Sequence, residues 1–489
     1  MNLKINYDYF YILIFASFFF FWGVNLSEIK FLSFLIPDYL YNNYSVNLKL
    51  SYLIVFLIIP IIYKSIISKS LSFKKIFNYQ QYIIYFTLFV IIHFLFVKVY
   101  YDEIISKSEI TNIFYLLLLA IIYCHYRNFI FVNFKKIIIF YLVIFVIYSI
   151  YEGSHIYNEG FLDMDGVLQF KNQGQCNNDI FLIDILKKYL NISLSNSIYL
   201  ENSHLGLMTI AVFFSSIFIL IQEKKKNILL LLLLLIEVII VLNNLSTTFF
   251  VGFFFAQITL LLFFHKKINN KYWIITLLFF CVNSYFFLSD KNCTKKITDF
   301  QVQSVVKNKL VKGPKNLTTL IYERSMIVAK ETLLTHSFGW GIDGMDKATA
   351  AMYKKYSRMG YGEFLSSGNM RMDEYNKKGC IGEPACINNK NGNNITFWWT
   401  LHLNTKDGLS NLFKMFTEFG IFTFIIFFYF TKYLLNMKSI SSYNLFIITL
   451  FIAMNIRGIG YFNGGFIFCL LEFFFYKKFI PELEFNKKN

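Results

Sequence analysis

Two arginines stand at positions that suit recognition of an anion. Arg457 follows the apolar run Leu445–Ile456 and precedes Gly458 and Gly460. An arginine at the edge of a hydrocarbon layer is costly and usually pairs with or binds something, and glycines let another backbone or a ligand approach closely. Arg324 could fork onto a phosphate. The simpler alternatives are an Arg457 that reaches to the membrane interface and an Arg324 that is only solvated.

Two histidines are candidate general bases. His402 lies in a polar stretch just before a long apolar run, and His336 comes two residues before Phe338. An imidazole titrates near neutral pH and can take a proton from a hydroxyl group. Glu418, inside the apolar run, could pair with an arginine or orient an acceptor. The alternatives are surface histidines and an interfacial carboxylate.

The composition predicts the elements that must position these residues. Of the 489 residues, 56% are hydrophobic and 20% are aromatic, and mean hydropathy is +0.49. Runs such as Ile137–Tyr151 and Phe249–Phe264 contain no charge and approach the ~20 residues that a helix needs to cross a bilayer. The fold class is therefore predicted to be all-α, a polytopic bundle of membrane helices surrounded by a lipid bilayer.

Twelve spans are predicted from the apolar runs. They lie near residues 9–26, 51–67, 80–97, 110–125, 136–151, 204–222, 227–243, 246–264, 272–289, 412–432, 442–456 and 461–476. Alternate connections are basic; one of them carries Arg127, Lys135 and Lys136. Because short basic connections stay in the cytoplasm, both termini are predicted to be cytoplasmic. Glu237 is the one acid expected in the middle of a span, with no partner that the sequence identifies.

Three regions follow from this layout. Residues 1–289 form a nine-span region, residues 290–410 a large outer loop, and residues 411–489 a three-span region with a cytoplasmic tail. The loop holds 18 lysines and arginines against 11 aspartates and glutamates. This basic balance favours an anionic ligand at the outer face, such as a lipid-linked phosphate or pyrophosphate. A nucleic acid is not expected there.

Within the large loop, residues 320–335 have the spacing of an amphipathic helix. Its predicted apolar face contains Tyr322, Met326, Ala329 and Leu333. Further along, Cys380 and Cys386 could close a disulfide in an oxidising compartment or remain free thiols. No histidine stands at ligand spacing to them, so a zinc site is not expected there. No cofactor is predicted for the chain.

Two stretches resemble bacterial O-antigen polymerases and O-antigen ligases. Tyr322-Glu323-Arg324, followed by His336-Ser337-Phe338-Gly339-Trp340-Gly341, resembles the family's arginine, helix and Gly-x-Gly stretch. His402, followed by Asn411–Phe422 with Glu418 and Gly420, is similar to the stretch that leads into the next span of these proteins. Twelve spans with a large loop between the ninth and tenth also resemble the ligase layout.

The resemblance implies glycosyl transfer at the bacterial inner membrane, with the large loop in the periplasm. The donor would be an undecaprenyl-pyrophosphate-linked glycan, the acceptor a glycan or lipid A-core, and neither nucleotide sugar nor metal would be needed. By the same resemblance Arg324 binds the pyrophosphate and His402 activates the acceptor hydroxyl. Residues 244–248 lack an arginine that the family commonly has, and Arg457 would take its place. Leu403, where the family has Asn, is a second departure.

The predicted function is therefore polymerisation of lipid-linked oligosaccharide repeat units into surface polysaccharide. A ligase that transfers the glycan to lipid A-core is the nearest alternative. A transporter or flippase for a lipid-linked glycan is the next, and it would bury charged residues in the middle of several helices. A scaffold whose loop binds a partner is the last.

Overall fold

A computed structural model gives the architecture of the protein. The residues that it describes are 7–21, 50–67, 73–101, 105, 107–155, 161–162, 168–169, 202–222, 227–243, 246–289, 302–306, 309–313, 317–356, 410–437, 439–458, 460–461 and 463–485.

Most of this described part is helical. The helices before residue 290 are α1 (Tyr7–Phe20), a 3-10 helix (Leu50–Leu57) that continues into α2 (Ile58–Ile67), α3 (Phe73–Tyr100), α4 (Lys107–His155), α5 (Asn202–Gln222), α6 (Ile228–Asn243), α7 (Thr247–Phe264) and α8 (Asn270–Ser289). The later helices are α9 (Leu317–Thr335), α10 (Met345–Tyr356), α11 (Asn411–Phe419), α12 (Thr423–Asn436), α13 (Ser442–Ile456) and α14 (Phe466–Phe485).

Two short antiparallel strand pairs lie between helices. β1 (Phe161–Leu162) pairs with β2 (Leu168–Gln169), and β3 (Val302–Val306) pairs with β4 (Lys309–Gly313), with Val302 opposite Gly313. Among the described residues, helices nevertheless supply most of the packed core, so the all-α prediction is confirmed for the bundle. The hairpins are additions that the sequence did not predict.

Helices α5, α7 and α13 form the centre of the bundle, and two glycines let them approach closely. A Cβ placed on Gly206 of α5 would meet Phe249 of α7, and one placed on Gly252 of α7 would meet Ile210 of α5. Ala453 of α13 lies beside the same Gly252 position. Small residues at helix crossings are the usual means of close packing between apolar helices, because the surrounding hydrocarbon supplies no hydrophobic driving force.

Three of the described helices have the length and composition of membrane spans. Within the described residues, Glu109–Ile150, Ser203–Gln222 and Asn411–Asn436 are long and apolar enough to cross a bilayer, and seven shorter apolar helices accompany them. Large apolar side chains face outward, including Leu262 at 70% exposure and Leu278 at 64%. Such a surface is typical of a membrane protein. The count of twelve spans and the positions of the termini stay predictions.

Helix α4 corrects the prediction of separate spans at 110–125 and 136–151. It runs without interruption over 49 residues, which corresponds to about 73 Å if it is straight, against ~30 Å of hydrocarbon. The sequence between Lys107 and Glu152 contains neither glycine nor proline, so no residue ends the helix locally. Lysines in the middle of an apolar run indicated a connection where the structure has helix.

Arg127 is also placed differently from the prediction of a cytoplasmic connection. Its side chain is 1% exposed and donates two hydrogen bonds to Glu472 of α14, from Nε at 2.9 Å and from Nη2 at 2.7 Å. The Tyr123 hydroxyl donates to the same carboxylate. A bidentate pair satisfies both charges where water is excluded, which is why an arginine is accommodated inside the bundle.

Glu237 has partners that the sequence did not identify. Its buried carboxylate accepts hydrogen bonds from the hydroxyls of Tyr141 on α4 and Thr209 on α5, each at 3.1 Å. Glu237 is one of several buried charged residues in the described helices, since Arg127 and Glu472 are buried there as well.

Candidate functional site

Arg457 ends α13. This helix begins at a capping box formed by Ser441 and Asn444 and ends where Arg457 leaves the helical conformation, at φ −125° and ψ 97°. The Arg457 N–H still donates to the Ala453 carbonyl at 2.9 Å, and the residue is only 6% exposed. The arginine is therefore held inside the protein at the end of a helix, and it does not extend freely into solvent.

The beginning of α11 lies against the segment that follows Arg457. The Asn411 side chain accepts a hydrogen bond from the Gly460 N–H at 3.2 Å and donates to the Gly460 carbonyl at 3.5 Å. Ser410 Oγ donates to the Asn455 carbonyl at 2.5 Å. A Cβ on Gly458 would overlap Asn411, and Gly460 has a φ of 82°. The glycines beside Arg457 thus admit the N-terminus of α11.

Tyr322 brings the large loop to the same place. Its hydroxyl donates to the carbonyl of Ile456, the residue before Arg457, and its ring lies 6.3 Å from that of Phe413. Burial raises the pKa of Tyr322 to about 12, and the Arg457 charge opposes that shift. The hydroxyl therefore stays protonated and remains a donor at neutral pH. Helix α9, the end of α13 and the start of α11 meet at this point.

Glu418 is fully buried at the other end of α11, and its cationic neighbour is a lysine. Lys414 Nζ lies 3.8 Å from the carboxylate, which is longer than a hydrogen bond, and the two residues are four apart on the helix. Lys414 Nζ also lies 5.4 Å from the centre of the Tyr461 ring, within the range of a cation–π contact. The sequence analysis allowed Glu418 to pair with an arginine, but the cation that the structure places beside it is Lys414.

The segment from His336 to Gly344 crosses this end of α11 through its backbone. Trp340 N–H donates to Thr417 O at 3.0 Å, Gly341 N–H donates to Glu418 O at 2.9 Å, and Ile421 N–H donates to Ser337 O at 2.8 Å. These bonds satisfy carbonyls that would otherwise lack partners, because the span changes to a 3-10 turn at Gly420–Phe422. The loop is therefore part of the bundle, and it closes over Glu418.

His336 is held in an aromatic stack. Its ring lies 3.9 Å from that of Trp340, nearly parallel at 17°, and 4.3 Å from that of Tyr101. Thr335 Oγ1 lies 3.1 Å from His336 Nδ1. The segments that carry His336 and Arg457 contact opposite ends of α11, which has nine residues and is about 12 Å long between its end residues. His336 and Arg457 therefore lie at different ends of α11.

His93 is a site residue that the sequence analysis missed. Its side chain is 4% exposed, and Nε2 lies 2.8 Å from the Phe338 carbonyl. The ring lies 5.3 Å from those of Phe419 and Phe422. An imidazole within a predicted span was the available signal, because polar groups there usually have a partner or a function. Here the partner is the large loop.

Several predicted residues lie outside the described part. His402, Cys380 and Cys386 belong to residues 357–409, which the structure does not describe. Arg324 lies on the described backbone of α9, two residues after Tyr322, but its side chain is outside the description. The roles of His402 and Arg324 and the disulfide stay predictions.

The predicted apolar face of α9 requires a correction. Met326 is 52% exposed, whereas Ser325, Val328, Ala329 and Thr332 are buried. Val328 packs on Met345 and Ala348 of α10, with Trp340 alongside. The buried face is displaced by one residue because α9 is enclosed by α10 and α11 and buries small and polar side chains against them. A prediction based on large apolar residues does not identify such a face.

The geometry provides a buried cation, Arg457, and the N-terminus of α11 at one end of α13, while the Tyr322 hydroxyl is already bonded to the Ile456 carbonyl. The cation and the helix N-terminus together could stabilise an anion that reaches Arg457. In the described part of the chain, no three side chains of His, Cys, Asp or Glu cluster as metal ligands would. Compared with known proteins, the chain matches no family model, no curated protein and no solved structure.

Proposed function

We propose that the chain is a membrane glycosyltransferase that polymerises undecaprenyl-pyrophosphate-linked oligosaccharide repeat units. The observation that supports this proposal most directly is the meeting of Arg457, the N-terminus of α11 and Tyr322 of the large loop at one end of α13. A sugar on a pyrophosphate already carries its leaving group. The protein then has to stabilise the negative charge that develops on the pyrophosphate and to remove a proton from the attacking hydroxyl.

The residues divide these two tasks. Arg457 and Arg324 neutralise the pyrophosphate as the glycosidic bond breaks, and the partial positive charge at the start of α11 adds to this effect. His402 takes the proton from the acceptor hydroxyl, a contribution that is typically worth ~10²–10⁴-fold in rate. Glu418 and His336 belong to the other end of α11, where they hold the loop segment over the bundle.

Replacement of the proposed residues in cells tests the site. Arg457→Gln, Arg324→Ala and His402→Ala should each abolish long glycan chains while the protein still inserts into the membrane. Lys330→Ala on the exposed part of α9 and His265→Ala on an exposed turn are the matched controls and should leave the chains unchanged. Glycan ladders of normal length in all three site variants would remove the assignment.

The same cells distinguish polymerisation from ligation. If the chain is deleted and one repeat unit remains on lipid A-core, polymerisation has been lost. If no glycan remains on lipid A-core while lipid-linked glycan accumulates, the chain is a ligase, the alternative that shares the donor chemistry. Gel separation of lipopolysaccharide followed by glycan staining reads both outcomes.

One observation favours a transporter or flippase for the lipid-linked glycan as the second candidate. Such a protein buries charged residues within several helices, and Arg127, Glu472 and Glu237 are buried in three different helices. The Arg127–Glu472 pair neutralises itself, which is equally suited to a fixed structural tie. Purified protein in vesicles with lipid-linked oligosaccharide separates the candidates, because a glycosyltransferase lengthens the glycan whereas a transporter moves it unchanged across the bilayer.

A further inference from the structure

Two segments of the chain compete for the same backbone carbonyls where α11 meets α12. The Thr417 carbonyl accepts from Trp340 N–H at 3.0 Å, and the Glu418 carbonyl accepts from Gly341 N–H at 2.9 Å. In an unbroken α-helix these two carbonyls would accept from N–H groups four residues further along the same helix. Residues 336–344, the strap, therefore occupy hydrogen-bonding positions that belong to the span.

The span is broken at a single turn, and it bonds to the strap in return. Ile421 N–H, which an unbroken helix would direct back along the span, donates to the Ser337 carbonyl at 2.8 Å. Gly420 makes the turn with φ 54° and ψ −130°, whereas Phe419 and Phe422 keep right-handed helical backbone angles. A change of backbone angles centred on Gly420 is therefore the main step needed to join α11 and α12.

The docked position of the strap has contacts that favour it and buried groups that oppose it. His93 Nε2 lies 2.8 Å from the Phe338 carbonyl, and the Phe338 ring lies 5.1 Å from that of Phe96. Against these contacts, the Thr417 hydroxyl and the Trp340 indole N–H are buried and make no hydrogen bond to any residue that the structure describes. Water would hydrate such groups after release. Docking thus gains packing and loses hydrogen bonds, a balance that suits a two-state element.

We propose that the strap is a reversible clamp on this span. When the strap is docked, it keeps α11 and α12 apart. When it is released, the Thr417 and Glu418 carbonyls pair within the span, and α11 and α12 join into one helix over Asn411–Asn436. Joining removes the turn at Gly420 against which the strap lies, so the span itself opposes redocking and holds this part of the large loop open. The switch goes beyond the proposed glycosyl transfer and does not depend on it.

Amide hydrogen exchange of the purified full-length chain in nanodiscs tests the switch with two independent variants. Gly420→Ala acts on the span, because an added Cβ would overlap the Ser337 carbonyl and because alanine favours a continuous helix. Phe338→Ala acts on the strap, because it removes the ring that packs against Phe96. Leu334→Ala is the matched control, since it shortens an apolar side chain of α9 that is 69% exposed.

The switch predicts opposite behaviour of amides that are neighbours in the docked state. In Gly420→Ala and Phe338→Ala, the amides of Trp340 and Gly341 should exchange at least ~tenfold faster than in the wild type, because their exchange follows release of the strap. The Ile421 amide should stay protected although the Ser337 carbonyl has left, because the span replaces that acceptor. Leu334→Ala should match the wild type at all of these amides.

Two results would overturn the inference directly. If the Ile421 amide exchanged together with the strap amides, the strap would detach without joining the helices. If the strap amides were unchanged in both variants, the strap would not be released at all. The Cys469 amide, bonded to the Gly465 carbonyl at 3.2 Å at the start of α14, distinguishes release from unfolding of the bundle. It should exchange as in the wild type, and an equal rise there would also contradict a local switch. None of these measurements involves a glycan, so the switch and the proposed function can fail separately.

Discussion

Gly339 of the large loop and Gly420 of the tenth predicted span lie directly against each other's backbone. A Cβ on Gly339 would overlap the carbonyl of Glu418 and the nitrogen of Gly420, and one on Gly420 would overlap the carbonyl of Ser337 and the nitrogen of Gly339. Both residues have positive φ, 85° and 54°. The loop and the span thus cross at a point where neither segment has room for a side chain.

Gly339→Ala should release the loop from the span. The substitution adds backbone strain of ~1–3 kcal/mol at a positive φ and an overlap that only separation of the two backbones can relieve. Gly341→Ala is the matched control, because its φ is 79° while an added Cβ would meet only ordinary contacts beginning at 3.5 Å. Thermal unfolding in nanodiscs should show a larger loss for Gly339→Ala than for Gly341→Ala. Equal losses would mean that φ strain alone matters.

Arg127→Ala should strongly destabilise the bundle. The change leaves the Glu472 carboxylate buried without its cation, and the loss of one partner of a buried pair typically costs ~3–5 kcal/mol. Replacing both residues, with Arg127→Met and Glu472→Leu, should recover much of that loss. Lys136→Ala, at an exposed position nine residues along the same helix, should change stability by less than ~0.5 kcal/mol. Unfolding by denaturant in a mild detergent measures all three.

If Arg127 instead lay in a cytoplasmic connection, as the sequence predicted, Arg127→Ala would behave like Lys136→Ala. The comparison therefore also tests the continuous helix α4. A cytoplasmic connection would place Arg127 in solvent, whereas the helix buries it in the protein.

Glu109 should matter more to stability than Lys347, its lysine partner on the large loop. Its carboxylate is 1% exposed and accepts from Lys98 Nζ at 2.7 Å and from Lys347 Nζ at 2.9 Å. Glu109→Gln removes the carboxylate that the buried Lys98 contacts at 2.7 Å, which should cost several kcal/mol. Lys347 is 36% exposed, so Lys347→Ala should cost only ~0–1 kcal/mol. A Lys347→Ala loss as large as that of Glu109→Gln would contradict this ranking.

The sequence predicted many of the helices, but it did not identify which side chains contact each other. Long apolar runs predicted the helices α5 to α8, because nothing competes with the hydrophobic signal there. The basic residues of α4 misled the prediction, since a buried arginine cannot be distinguished from a cytoplasmic one without knowing that Glu472 lies opposite. Arg457 and its glycines were identified from their positions at the end of an apolar run. His93 and Lys414 were missed because their partners, Phe338 and Tyr461, are remote in sequence.

Tyr322→Phe should weaken the attachment of α9 to the end of α13. The variant removes the donor to the part-buried Ile456 carbonyl, and the loss of such a hydrogen bond costs ~0.5–1.5 kcal/mol. Because the pKa of Tyr322 is raised to about 12 by burial, the folded state holds its proton more tightly than the unfolded chain, whose tyrosines titrate near ~10. The contribution is therefore fully present below pH ~10 and is lost as pH rises towards ~12.

Hydrogen exchange of the 317–335 helix should follow that profile. In the wild type, protection of α9 should be constant up to pH ~10 and fall above it once the intrinsic rate of exchange is corrected. In Tyr322→Phe, protection should be lower at all pH values and should show no such fall. Phe413→Leu, which alters the neighbouring ring but keeps the hydroxyl, is the control and should retain the fall. A wild-type profile that matches Tyr322→Phe would show that the hydroxyl does not hold the large loop to the Arg457 end of α13.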